Sequence, residues 1–133
     1  MEAASVFSHT TFGALATINE DGSPWAVPLH IFHDNGAVYW LSAEETQHSQ
    51  NILRDGRVSL TAWALKEGEA PRAIYVSGIA TQLKASEMDD VKARMTAKLG
   101  STPPIYDTTR AYRLVLGNIN SSKSGKNRWY FYT

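Results

Sequence analysis

The chain contains no cysteine. Disulfides, thiolate metal centres and cysteine nucleophiles are excluded, and the redox compartment cannot be read from thiols. Net charge is also absent: 13 Lys and Arg balance 13 Asp and Glu. That balance argues against a nucleic-acid binder working through a strong basic field. No run of about 18 apolar residues is available to cross a membrane. Met1-Glu2-Ala3-Ala4-Ser5-Val6-Phe7 lacks the basic start and long apolar stretch of a signal peptide, so a cytoplasmic location is expected. The hydrolase elbow G-x-S-x-G is missing, as are the phosphate loops G-x-x-x-x-G-K-[ST] and G-x-G-x-x-G. The four histidines are His9, His30, His33 and His48, and no clustered His and carboxylate set points to a metal.

What is present describes an ordinary globular protein. The 133 residues are 43% apolar and 20% charged, enough for one domain over residues 1–133 with one real core. Strand signals dominate. Gly13 to Asn19, Trp25 to His33 and Ala37 to Leu41 are separated by the turns Glu20-Asp21-Gly22-Ser23 and Asp34-Asn35-Gly36, which suggests a meander. Pro28 cannot donate to a ladder, so its strand position lies at an edge or bulge. Arg57 to Ala64 alternates apolar and polar residues. Ala73 to Lys84 is a long strand whose Gly78 marks a bulge or bend. Arg110 to Leu116 and Asn127 to Tyr132 complete the strands. Thr46 to Arg54 reads as a short helix stopped by Asp55-Gly56. A longer helix follows Ser86-Glu87-Met88-Asp89, which resembles a capping box, and ends at Gly100. These elements predict a mainly β (α+β) fold: a six- to seven-stranded antiparallel barrel with two principal helices.

The most informative segment is Leu41-Ser42-Ala43-Glu44-Glu45-Thr46-Gln47-His48-Ser49-Gln50-Asn51-Ile52, where a helix opens directly after a strand. Unpaired N–H groups and the helix dipole favour an anion at such a start. Ser42 and Thr46 add hydroxyls, Gln47 an amide and His48 a ring N–H. The same residues also suit a capped polar turn with no ligand. Lys123 to Arg128 is basic, and reads either as a solvated loop or as a cationic flap over an anionic ligand. The final strand, Trp129-Tyr130-Phe131-Tyr132, is apolar on both faces, which suits a core strand or a dimer contact equally.

Taken in order, Pro24-Trp25-Ala26-Val27-Pro28-Leu29, Asn35-Gly36-Ala37-Val38-Tyr39-Trp40-Leu41-Ser42, Thr46-Gln47-His48-Ser49-Gln50-Asn51-Ile52 and Asp55-Gly56-Arg57-Val58-Ser59-Leu60 resemble the pyridoxamine 5′-phosphate oxidase-like flavoproteins. The resemblance is strongest over Thr11 to Lys84. It implies an FMN-binding split β-barrel and a homodimer with flavin sites at the subunit interface. It further implies that the Val27-Pro28-Leu29 backbone runs beside the isoalloxazine. Leu41 and Ser42 would border the ribityl and phosphate, and Thr46, Gln47 and His48 would hold the phosphate, with Asn51 nearby. Of the oxidase's vitamin-binding residues near the C-terminus, the resemblance leaves only faint counterparts, Arg128 and Trp129.

The chain departs from the oxidase proper. Gln47 and His48 stand where the oxidase has Arg and Lys, and Trp25 stands where it has Arg. His48 replaces a permanent charge with a titratable one, so phosphate affinity is expected to be lower or to rise on acidification. Pyridoxamine phosphate oxidation is not inferred. The pattern is closer to small members of the family, with an oxidoreductase of an unidentified small molecule as the expected function. No catalytic side chain is assigned, because a flavin supplies the redox chemistry itself. Two alternatives stand beside it: a deazaflavin- or haem-binding relative on the same barrel, a histidine serving as axial ligand for haem, and a cofactor-free dimeric binding module.

Overall fold

The computed structural model describes residues 2–133. Nine strands and two α-helices form among them. The strands are β1 (Phe12–Ile18), β2 (Pro24–His30), β3 (Phe32–Asp34), β4 (Ala37–Ala43), β5 (Arg57–Ala64), β6 (Arg72–Gln82), β7 (Thr109–Val115), β8 (Asn118–Ile119) and β9 (Arg128–Tyr132). The helices are α1 (Gln47–Arg54) and α2 (Met88–Leu99). A 3₁₀ turn at Ala3–Val6 precedes β1 and buries Ala3 and Val6 in the main core.

Seven strands pair in the order β2-β1-β5-β6-β7-β4-β3, and all of these pairings are antiparallel. The expected mainly β architecture with two helices is therefore present. β9 adds one parallel partner to β6, a pairing the sequence did not suggest, and β8 pairs with β9.

The predicted meander is not formed. The run from Trp25 to His33 divides at Ile31. That residue is buried, and its N–H donates to the Thr11 carbonyl at 2.8 Å. Before this corner β2 pairs with β1; after it β3 pairs with β4. β2 and β4 thus belong to different halves of the barrel. His30 and His33 accordingly lie on different strands.

Gly78 marks a change of partner. One edge of β6 pairs with β9 through residues 73–77 and with β7 through residues 80–82. The chain end also passes close by: a Cβ at Gly78 would collide with the Thr133 hydroxyl.

Period-2 burial fills the barrel. Leu15, Val38, Trp40, Leu60, Ile74, Val76, Tyr112 and Leu114 are fully buried inside it. The opposite face of β4, at Ala37, Tyr39 and Leu41, joins Val91 and Met95 of α2 in a second cluster. β4 is therefore covered on both sides, which explains its unbroken apolar run. Arg94 ties α2 to the sheet through Asp34 at 3.1 Å and lies 4.6 Å above the Tyr39 ring.

The start of α2 differs from the expected Ser86 box. Glu87 accepts from the Lys84 N–H at 3.0 Å, closing a 3₁₀ turn at Ala85–Glu87 before the helix. Gly100 ends α2 at φ +81°.

Candidate functional site

Among the described residues, β2 ends the strand order and has no second strand partner. β4 extends past β3, whose pairing stops at Tyr39, so residues 40–43 of β4 also lack a strand on that side. Each half of the barrel thus keeps an edge without a strand partner. α1 begins where β4 ends and packs against β1, β2 and β6. Five of the sequence-predicted residues, Ser42, Thr46, Gln47, His48 and Asn51, gather at this corner.

Thr46 is the N-cap of α1. Its hydroxyl donates to the Ala43 carbonyl at 2.9 Å and accepts from the Ser49 N–H at 3.3 Å. The Ser49 hydroxyl lies 2.8 Å from it. His48 Nε2 sits 2.9 Å from Ser42 Oγ and 3.3 Å from Thr46 Oγ1. Ser42, Thr46, His48 and Ser49 thus form one compact polar cluster. His48 and Ser49 are buried, while Ser42 and Thr46 are half-buried. Among the described residues, the Gln47 and His48 backbone N–H groups have no acceptor, as expected for the first turn of a helix.

Asn51 has a different role from the one expected. It is fully buried, and all its amide positions are taken within the chain. Its nitrogen donates to Thr17 Oγ1 and Asn19 Oδ1, both at 2.9 Å. Its oxygen accepts from Gln47 Nε2 at 2.9 Å and Arg54 Nη1 at 3.2 Å. Asn51 bolts α1 to the end of β1 and leaves nothing for a ligand. Replacing it with Leu keeps similar bulk but strands these partners. We expect a loss of about 2–4 kcal/mol in urea denaturation.

The remaining predicted residues are dispersed. Leu29 is buried and Val27 half-buried against the barrel core, so each can offer a ligand only backbone. Pro28 is exposed. Leu41 packs beneath α2. Arg128 and Trp129 lie on β9, four strands from β2 in the pairing path, roughly 19 Å at about 4.8 Å per strand. Trp129 packs toward the barrel interior and Arg128 is exposed. Neither joins the cluster of its own chain. Sequence reasoning missed Asn19, Thr17 and Ser49. Asn19 follows β1 directly, and only the pairing of α1 with that strand end reveals its part.

No Lys or Arg enters the cluster, so its attraction for an anion comes from neutral donors and the helix start. Burial also depresses the His48 pKa below its ordinary 6.5. The expected rise in phosphate affinity on acidification is therefore displaced to lower pH. His33 is shifted the same way, first by burial and then by Lys98. Both histidines are harder to protonate folded than unfolded, so the unfolded chain binds more protons as pH falls through 6.5. Stability should be full above that pH and decline below it, by at most about 1.4 kcal/mol per pH unit for each histidine. Thermal melts from pH 7.5 to 5 check this, and His48→Gln should flatten the slope.

Two cavities lie near the other end of β1 from α1. One of about 180 Å³ is lined by Thr11, His30 and the end of α2. The other, of about 310 Å³, lies between Phe7, His33 and Lys98. Neither includes a residue of the polar cluster.

The outer face of the larger half-sheet is poor in charge. Across its strands, Pro28, Ala14, Thr61, Tyr75 and Tyr130 form one row, and Ala26, Ala16, Ser59, Ser77 and Tyr132 the next. Tyr75 and Tyr130 stack at 4.3 Å. Phe12, Trp63 and Ile79 are exposed on the same face. β9 therefore has one face in the core and one on this surface.

The two curled half-sheets joined through β6, with helices at the corner and flank, define a split β-barrel. Residues 1–120 match the family model described as pyridoxamine 5′-phosphate oxidase, and the chain belongs to that family. Among solved structures it is similar to a heme binding protein from Mycobacterium smegmatis, at 22% identity and TM-score 0.74, covering 85% of this chain and 49% of that one. A protein of unknown function from Agrobacterium tumefaciens is 29% identical at TM-score 0.65, with 85% and 53% of the two chains covered. The chain thus spans about half the length of these two proteins. A FAD-binding protein from Mesorhizobium loti is 20% identical at TM-score 0.67, with 88% of each chain covered. No curated protein matches the sequence significantly. Among the described residues, no helix is long and apolar enough to cross a membrane, and no three His, Asp or Glu side chains gather as a metal group.

Proposed function

We propose that the protein is an FMN-binding flavoprotein, an oxidoreductase of a small molecule, with its flavin sites shared between the subunits of a homodimer. The observation that carries this reading is the packing of α1, whose start holds a cluster of hydroxyls, against β2, a strand with one unpaired edge. A flat heterocycle with a polar rim suits the strand edge, and an anionic tail suits the helix start. The donor set fits a phosphate: the Ser42 hydroxyl, His48 and the open N–H groups of Gln47 and His48, with the Thr46 hydroxyl committed to the Ala43 carbonyl. When bound, the flavin supplies hydride or electron transfer; the chain supplies orientation and a sheltered site. Family membership and the flavin-binding structural neighbour support the choice. The outer face of β1, β5, β6 and β9, whose two central rows carry no charge and whose Arg57 and Arg128 lie at its margins, supports a second copy as the covering partner.

The test compares FMN with riboflavin by quenching of flavin fluorescence. FMN should bind about tenfold or more tighter, because only FMN carries the phosphate that the α1 turn holds (about 1.4 kcal/mol per tenfold). Ser42→Ala should weaken FMN several-fold and leave riboflavin unchanged. Equal binding of the two flavins, or of neither, would refute the reading.

One observation favours haem as the second reading. His30 is exposed at the end of β2, where its ring packs 4.1 Å from that of Phe12 and lines a cavity. The Mycobacterium smegmatis neighbour is described as heme binding. A Soret band on haem titration that disappears in His30→Ala would favour haem over flavin.

A further inference from the structure

We infer that Pro24 and Pro28 are specificity determinants of the β2 edge: they deny it to an added β-strand and so reserve it for a small planar ligand. The inference deepens the flavin reading of this edge and rests on that reading for the ligand's identity.

The parity of β2 is fixed by bonds on either side of it. The Asn19 N–H donates to the Ser23 carbonyl at 2.8 Å, and the Ile31 N–H to the Thr11 carbonyl at 2.8 Å. In an antiparallel pair, alternate residues exchange bonds with the neighbour. The odd positions of β2, namely Trp25, Val27 and Leu29, therefore face β1. The even positions, Pro24, Ala26, Pro28 and His30, direct their backbone polar groups to the free edge. Pro24 and Pro28 oppose Ile18 and Ala14 in the register. A proline costs no ladder bond at these positions, and both residues are exposed.

The free edge thus presents four carbonyls but only two N–H groups, those of Ala26 and His30. A strand docking here would need the alternating donors and acceptors of a full ladder. It would instead find every second donor missing and a pyrrolidine ring in its place. A small ligand needs only one or two of these groups. The edge that would otherwise invite pairing between copies is kept open for a heterocycle that can use the carbonyls of Ala26 and Pro28 and the N–H of His30.

The experiment uses the full chain without added cofactor, as wild type and as Pro24→Thr/Pro28→Thr. Threonine restores both N–H groups and favours strands. Sedimentation velocity across a concentration series should show the double variant forming species larger than wild type. Amide exchange should show the wild-type Ala26 and His30 N–H groups exchanging freely while those of Trp25, Val27 and Leu29 are protected. In the self-associated variant, residues 24, 26, 28 and 30 should gain protection, and added FMN should return it to the wild-type species by competing for the edge. Should the double variant not fold, Pro28→Thr alone carries the same expectation. Unchanged sedimentation of a folded variant, or a protected Ala26 amide in the wild type, overturns the inference whatever FMN does. Self-association that FMN cannot reverse, with no FMN uptake by the wild type, keeps the prolines' role against strands and overturns the ligand assignment.

Discussion

Trp40→Ala should destabilise the protein by about 3–5 kcal/mol, measured by urea denaturation at neutral pH. Trp40 is the largest of the fully buried side chains. It lies inside the barrel on β4 and stacks on Tyr112, with ring centroids 5.9 Å apart and planes within 9°. Tyr112 comes from β7, the strand paired with β4, so truncation opens a cavity beside a wall that cannot collapse. Trp40→Phe should cost far less. The indole Nε1 is buried without an acceptor, and phenylalanine removes that unpaired donor while keeping most of the ring contact. If both variants lose the same stability, lost packing does not explain the effect.

Ser59→Arg should convert the proposed dimer to a monomer and abolish most flavin uptake, while leaving the barrel folded. Ser59 sits in the middle strand of the outer face, in an uncharged row between Ala16 and Ser77. Its side chain is exposed in the single chain and makes only a long contact of 3.5 Å to Ser77, so the protomer can carry an arginine there. Two copies meeting face to face would bring a desolvated cation from each side toward the centre of the contact, which costs several kcal/mol. Light scattering reads the mass, far-UV circular dichroism reads the fold and fluorescence quenching reads FMN. A variant that stays dimeric places the interface elsewhere. A monomer that binds FMN as tightly as wild type shows that the site needs only one chain.

Much of the architecture was legible because it follows from local chemistry. β5 was read at its observed bounds from strict alternation, and the ends of α1 and α2 from Thr46 and Gly100. Pro28 announced an edge, and the edge is there. The corner at Ile31 was not legible. Nothing local distinguishes a strand that continues from one that turns into the other half-sheet, because the deciding bond is made to Thr11, twenty residues earlier. The parallel pairing of β9 is equally non-local. At the site, donor types identified the cluster but could not tell a residue facing solvent from one facing inward. Asn51 and Gln47 look alike in the chain, yet the first is buried with every amide position bonded and the second is exposed.

β6 alone is bonded to both halves of the barrel: to β5 and β9 on one side of its bend, and to β7 on the other. Neither half can come apart without disturbing the strand that the other half needs. The native state should therefore be lost in a single cooperative step. Its formation must wait for residues far apart along the chain to find one another, which places this domain among the slower folders of its size.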